Sequence, residues 1–442
     1  MTERTESPIP PTLSEGTDGS ISLITFGCRL NAHESDAMAH YASQAQRQKG
    51  DEVQGKQTII VNTCAVTGEA ERQARQAVRR AHREHPQARI IITGCASERD
   101  KQRWMAMAGV DQVLDNATKA TPAAWGLAES ATTDAPPSRY TRALLQIQQG
   151  CDHDCTFCVI PQGRGRAHSI TPDVILRRAR ALTEAGHEEI VLTGVDIASW
   201  KGGEGGQAIT GLGSLCRHLL DAVPAIKRLR LSSLDPALLQ SSRLAMAGAP
   251  QQVDGALWDL IAGEERFMPH LHLSLQAGSD LILKRMKRRH LVEDALALVN
   301  RARALRPGMG FGADLIAGFP TETEELFAET LAFVQESQLP FLHVFPYSPR
   351  PGTAAARIQP LPRNVRQERA ARLRQAGAAN RAVFLANLVG QTCPVLMETP
   401  TTGHTPEFAP IAVPATTQLQ PGQTIMLHVT SSDGEKLQGA PA

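Results

Sequence analysis

The stretch Cys151-Asp152-His153-Asp154-Cys155-Thr156-Phe157-Cys158 sets three thiols at the spacing C-x3-C-x2-C. It follows the apolar run Ala143–Gln148, which reads as a strand. Three thiolates this close can wrap one small inorganic site. They fall one short of a closed tetrahedral zinc site, which needs a fourth ligand such as His153 or His168. An iron–sulfur cube held by three thiolates keeps one iron open for a substrate or cofactor.

Five further strand candidates follow the motif: Glu189–Thr193, Arg228–Ser232, Leu271–Leu275, Gly312–Ala317 and Phe341–Phe345. Helical patterns separate most of them, clearest at Thr171–Ala185, Asp280–Leu305 and Thr321–Glu336. Six β/α units over 142–385 predict an incomplete (β/α)6 barrel with its chemistry at the strand C-termini. The run Gly202–Gly206 reads as a flexible loop, because no Lys-Ser/Thr follows it as in a phosphate loop.

Upstream, residues 21–126 alternate strand and helix, which predicts a small parallel α/β layer. Its strands Ile21–Thr25, Thr58–Asn62 and Arg89–Thr93 run into Cys28, Cys64 and Cys95. Ligands of open α/β sheets bind outside the carboxyl ends of strands, so the fold would gather these three thiols. Three unrelated buried thiols is the alternative, and the repetition weighs against it. Residues 1–20 read as a disordered tail and 127–141 as a linker. Residues 363–385 form a basic helix, and 386–442 read as a small all-β domain.

The chain has 442 residues, eight cysteines and a formal net charge of +1. No apolar run reaches membrane-spanning length and the N-terminus has no secretory pattern, so a cytoplasmic protein with no membrane partner is expected. Structural disulfides are rare there, which points the cysteines to metal or redox chemistry. The charge is uneven. The first 20 residues and the last 57 each sum to −3, which leaves +7 between them. Basic clusters stand at Arg72–Arg83, Lys284–Arg289 and Arg363–Arg381. Of these, Lys284, Lys287, Arg288 and Arg289 follow a barrel strand and are the expected phosphate contacts. Cys216 and Cys393 stand alone and read as inert buried thiols.

The motif Cys151–Cys158 resembles the signature of radical S-adenosylmethionine (SAM) enzymes, and the Cys28, Cys64 and Cys95 set resembles the second triad of their methylthiotransferase branch. The resemblance covers nearly the whole chain from residue 21. Thr25-Phe-Gly-Cys28-Arg29-Leu30-Asn31-Ala-His-Glu34-Ser35 is similar to the tRNA N6-threonylcarbamoyladenosine methylthiotransferases, whose sisters typically carry Gln-Met-Asn or Pro-Lys-Asn after this cysteine. Val191–Ile197, Leu231–Pro236, His270–Gln276, Arg285–His290, Asp314–Pro320 and His343–Ser348 match as well. Ala277, where the family usually has Ser, departs from the pattern.

The resemblance implies methylthiolation at C2 of the modified adenosine at position 37, in the tRNA anticodon loop. Cys151, Cys155 and Cys158 would hold a [4Fe–4S] cluster that chelates SAM. A reducing electron donor would drive its cleavage to a 5′-deoxyadenosyl radical, which activates a C2–H that no side-chain base can remove. Cys28, Cys64 and Cys95 would hold an auxiliary, sulfur-carrying [4Fe–4S] cluster. Candidate SAM contacts are Phe157, Thr193, Gly194, Ser233, Gln276 and Asp314. The C-terminal domain would be of the RNA-binding TRAM type, though it lacks Arg and is acidic. A monomer is expected. The alternatives are a sister enzyme acting on isopentenyl-adenosine tRNA or a ribosomal-protein aspartate, and an iron–sulfur sensor or RNA-binding regulator.

Overall fold

The computed structural model describes residues 12–15, 21–49, 57–129, 138–202, 209–239 and 254–442. Of the Gly202–Gly206 loop all but Gly202, and of the 127–141 linker most, lie outside them.

The N-terminal sheet has strands β1 (Thr12–Glu15), β2 (Ile21–Thr25), β3 (Thr58–Thr63), β4 (Arg89–Gly94) and β5 (Val110–Val113) in that order. β2 to β5 are parallel, and β1 pairs antiparallel with β2. β1 corrects the expectation of a disordered tail at Thr12–Glu15, where its backbone completes the edge of β2 over four residues; the rest of 1–20 lies outside the described residues. β2 and β3 are buried at every position, as a parallel strand covered on both faces must be. The helix Arg29–Lys49 covers one face with Met38 and Tyr41, and Gly68–Glu84 covers the other with Ala74 and Val78.

The central domain carries β6 (Arg142–Gln146), a short hairpin of β7 (Gln148–Gln149) with β8 (His168–Ser169), then β9 (Glu189–Thr193), β10 (Arg228–Leu231), β11 (Ser233–Leu234), β12 (His270–Gln276), β13 (Gly310–Ala317) and β14 (Phe341–Pro346). The ladders run β6-β9-β10 and β11-β12-β13-β14, all parallel. β10 and β11 are one segment interrupted at Ser232, so it passes from one ladder to the other. This is the six-stranded open barrel that the sequence predicts, with β6 and β14 unpaired to each other. Helices pack outside it around a core that includes Ile175, Leu219, Leu260, Leu298 and Phe327.

The long helix expected over Asp280–Leu305 is two helices, Asp280–Arg285 and Val292–Leu305. Lys287 between them has φ +58°, which no helix continues through. Leu291 N–H donates to Asp294 (2.8 Å), which starts the second helix. The helix expected from Thr321 begins at Glu324, capped by Thr323.

The last domain is a closed barrel of β15 (Thr392–Met397), β16 (Thr402–His404), β17 (Pro410–Ala412), β18 (Thr424–Ser432) and β19 (Leu437–Pro441). It docks under the central barrel at the strand starts. Arg228 and Arg230 donate to the carbonyls of Pro394 and Pro406 (3.1 Å each). The Phe408 ring, held at φ +73°, lies 4.8 Å from His270 and carries Arg142 (4.6 Å) and Arg230 (5.0 Å) over its face. The floor of the central barrel is therefore filled from the C-terminal domain. On the open side, Ala32 of the first helix packs against Leu144 and Val191.

Candidate functional site

Both thiol triads sit just beyond strand ends. Cys28 follows β2, Cys64 follows β3, Cys95 follows β4, and Cys151 follows the β7 hairpin. Three of these are preceded by glycines in the left-handed region, at Gly27 (φ +101°), Gly94 (+104°) and Gly150 (+70°). All three are also sterically required, and a Cβ on Gly94 would stand 2.3 Å from the Thr63 carbonyl oxygen. A Cβ on Gly27 would stand 2.9 Å from the Cys64 sulfur, and one on Gly150 would stand 1.9 Å from the Arg166 carbonyl oxygen.

Cys64 and Cys95 are buried, and Cys28 is exposed. Burial, with Cys95 and Cys28 close by, pushes the Cys64 thiol up to about 12. Cys151, Cys155 and Cys158 are half-buried. Burial lifts Cys151 to about 11 and Cys158 to about 12, and each feels the other two triad sulfurs or one of them. Soft, closely spaced thiols that stay neutral alone are suited to a metal centre that displaces their protons. In each triad one sulfur, Cys64 or Cys158, feels both of the others, with no fourth cysteine among them. That fits a cube with one open iron better than closed zinc. Of the possible fourth ligands, His153 Nε2 lies 2.7 Å from Asp196 beside Cys151, and His168 is exposed on β8.

Neighbouring groups fix the Cys151–Cys158 loop. Gln148, fully buried, accepts from the backbone N–H of Val195 (3.0 Å) and Asp196 (2.8 Å) and donates to the Gly150 carbonyl (2.8 Å). Thr156 donates through its hydroxyl to the Arg285 carbonyl (2.8 Å) and through its N–H to Met286 (3.2 Å). Arg288 then turns inward. It donates to the Ser274 carbonyl (2.6 Å) and to Asp235 (3.1 Å), and its other amine reaches the Cys155 sulfur (3.6 Å).

Arg288 therefore corrects one expectation: it is buried under the cluster loop and is no surface contact for phosphate. Arg289 also pairs with Asp235 (3.1 Å). Lys284 and Lys287 are exposed, and Lys287 pairs with Asp154 inside the cysteine motif.

The candidate cofactor contacts divide. Gln276 sits at a bulge ending β12 with φ +77°, the kind of held, uncommon backbone found at binding sites. Thr193 is buried at the end of β9, and Ser233 is exposed in β11. Gly194 packs so closely on Gln148 that a Cβ would meet its carbonyl at 2.8 Å. Phe157 packs against an apolar group containing Ala277, Met286 and Tyr347. Asp314 lies mid-strand and not at the mouth. It accepts from His272 (3.0 Å) and His343 (3.2 Å), whose rings stand 4.7 Å apart, and the two histidines hold its carboxyl well below the usual range against the upward push of burial. The sequence reading missed both histidines, although each starts or lies within a quoted motif. Cys216 sits in the central apolar core, as expected of an inert thiol.

The reading also missed a buried charge network beneath Cys95. Arg164 donates to Glu34 (2.8 and 2.9 Å), to Gln149 (2.8 Å) and, through Nε, to the Cys95 sulfur (3.2 Å). Lys119 pairs with Glu34 (2.6 Å) and donates to Asn62 (3.1 Å). Burial alone would raise the Glu34 carboxyl, but Arg164 and Lys119 outweigh it and hold it at about 2.

Residues 145–334 match the Radical SAM superfamily, and residues 20–115 match Uncharacterized protein family UPF0004. The chain is 39% identical to the threonylcarbamoyladenosine tRNA methylthiotransferase MtaB of Rickettsia prowazekii, over 88% of this chain and 90% of that one. It is 32% identical to MtaB of Bacillus subtilis, over 80% and 79%. It is also 32% identical to the tRNA-2-methylthio-N(6)-dimethylallyladenosine synthase of Erythrobacter litoralis, over 85% of each. Among solved structures, the radical SAM methyltransferase TsrM of Kitasatospora setae superposes with a TM-score of 0.50 at 13% identity, over 74% of this chain and 73% of that one, a likeness of fold alone. The chain belongs to the radical SAM methylthiotransferase family, in the threonylcarbamoyladenosine tRNA subfamily, and with that membership come SAM and a [4Fe–4S] cluster as cofactors.

Proposed function

We propose that this protein methylthiolates C2 of N6-threonylcarbamoyladenosine at position 37 of tRNA. The observation that carries the reading is the pairing of two thiol triads, one at the barrel mouth and one on the adjoining sheet, joined by Arg164. The family's cofactor accounts for Cys151, Cys155 and Cys158. Cys28, Cys64 and Cys95 have the same count and a comparable setting, which supports a second, auxiliary [4Fe–4S] cluster there.

When bound, these groups supply the one-electron chemistry that opens C2–H and the sulfur that replaces the hydrogen. The chain's own residues do the holding. Thr156 and Gln148 fix the first cysteine loop against the barrel. Arg288 neutralises part of the charge that three thiolates bring into a partly buried site. Gln276, Thr193, Gly194 and Ser233, which stand at or beside strand ends, are the proposed SAM contacts. Lys284 and Lys287 lie outside that loop, where tRNA phosphates would meet them. A reducing electron donor must reach the same face. No described helix is long and apolar enough to cross a membrane.

Mass spectrometry of tRNA nucleosides from a deletion strain tests the reading. The methylthio form of threonylcarbamoyladenosine should disappear, and complementation should restore it. Loss of methylthio-isopentenyl-adenosine instead would assign the sister activity.

A further inference from the structure

The short helix Ile160–Arg164 begins two residues after Cys158 and ends beneath the other triad. Gly163 touches Cys95 so closely that a Cβ there would lie 3.0 Å from the Cys95 carbonyl oxygen and 3.1 Å from its Cβ. Asn116 donates to the Gly163 carbonyl (2.5 Å) and reaches the Cys95 sulfur at 3.8 Å. Arg164 Nε donates to that sulfur at 3.2 Å, while Glu34, Asn31 and Gln149 take its remaining N–H groups.

Arg164 is fully enclosed, with its side chain 1% exposed. Its position is therefore set by these partners and not by solvent. Each triad has one sulfur in reach of a buried arginine that a buried carboxylate holds: Cys95 with Arg164 and Glu34, Cys155 with Arg288 and Asp235. The difference is in origin. Arg288 comes from the barrel that carries its triad, whereas Arg164 crosses from the barrel to the N-terminal domain.

We propose that Arg164 is a positioning residue for the auxiliary centre: it orients Cys95, raises the reduction potential of a cluster bound there, and ties that centre's place to the Cys151–Cys158 loop. Hydrogen bonds and positive charge at a ligating sulfur stabilise the reduced, more negative cluster. This inference rests on the reading that Cys28, Cys64 and Cys95 hold a cluster.

The test uses the full chain with Cys151, Cys155 and Cys158 changed to Ala, reconstituted anaerobically with iron and sulfide. About four irons per chain should remain. Iron-free protein would overturn the auxiliary-cluster reading itself. With iron retained, a redox titration followed by electron paramagnetic resonance gives the midpoint. Arg164→Gln should shift it to more negative potential, and Arg164→Lys, which keeps the charge but loses the fork, should fall between. If Arg164→Gln fails to load iron, the Arg164→Lys midpoint decides. A loaded variant with the parent's midpoint and spectrum overturns the proposal, because a merely structural role would leave both unchanged.

Discussion

Arg288 and Asp235 form a buried ion pair at 3.1 Å directly behind Cys155, from a position four residues beyond the exposed Lys284. One basic cluster thus serves two sites. Its inner member belongs to the metal-binding loop and its outer members face solvent.

That division is separable by mutation. Arg288→Ala should lower iron retention at the barrel triad by about 10- to 100-fold, as loss of a group supporting metal ligands typically does. Lys284→Ala with Lys287→Ala should leave iron content unchanged, weaken tRNA binding, and flatten its salt dependence by roughly one unit of slope per lost phosphate contact. Iron assay and filter binding on the same preparations check both. A salt slope unchanged in the lysine variant removes these residues from the RNA face.

Glu34 is the single carboxylate between two buried cations. Glu34→Gln should destabilise the protein by about 3–5 kcal/mol at pH 7, because it leaves Arg164 and Lys119 buried with one partner fewer. The pH dependence follows from its depressed value. A carboxyl held at about 2 against an ordinary 4.5 stabilises the fold fully above about pH 4.5, and that contribution is lost as pH falls toward 2. The stability gap between wild type and variant, read from urea unfolding, should therefore narrow between pH 6 and pH 3. A gap that stays constant over that range contradicts the assignment.

Phe408 closes the barrel floor from another domain. Phe408→Ala should lower stability by roughly 2–3 kcal/mol, from lost ring burial and three lost arginine–ring contacts. Affinity for tRNA should change little, because the ring faces the strand starts. Calorimetry beside filter binding distinguishes this from a direct RNA contact, which would move affinity and leave the transition temperature alone.

Gly27 lies against the Cys64 sulfur. Gly27→Ala should abolish iron loading at the N-terminal triad, while Gly308→Ala, at φ +81° but with open space around it, should cost only about 1 kcal/mol and keep all iron. Equal iron content in the two variants would show that the clearance at Gly27 is not needed.

Much of this architecture is readable from local pattern. The six barrel strands lie within about two residues of where the sequence predicts them, because each is a short apolar or alternating run set between helical patterns, and repeated Cys after a strand points to the N-terminal triad. What escaped has a common cause. Arg164 and Glu34 are 130 residues apart, and Arg288 and Asp235 are 53 apart, so no periodicity links them. A run of Lys and Arg looks the same in sequence whether its members face water or a thiol; the left-handed Lys287 decides that here. His272 and His343 escaped because a histidine mid-strand gives no sign of what stands on the neighbouring strand.

The filled floor has a consequence for traffic. Among the described residues, Phe408 lies below the barrel and the first helix lies along its open side, which leaves the thiol-bearing face as the side of approach. A base buried in its own stack cannot present its C2 there, so the substrate nucleotide would leave the stack and approach base-first. If base and cofactor share that face, departure of the modified base and arrival of fresh cofactor would compete for the same space.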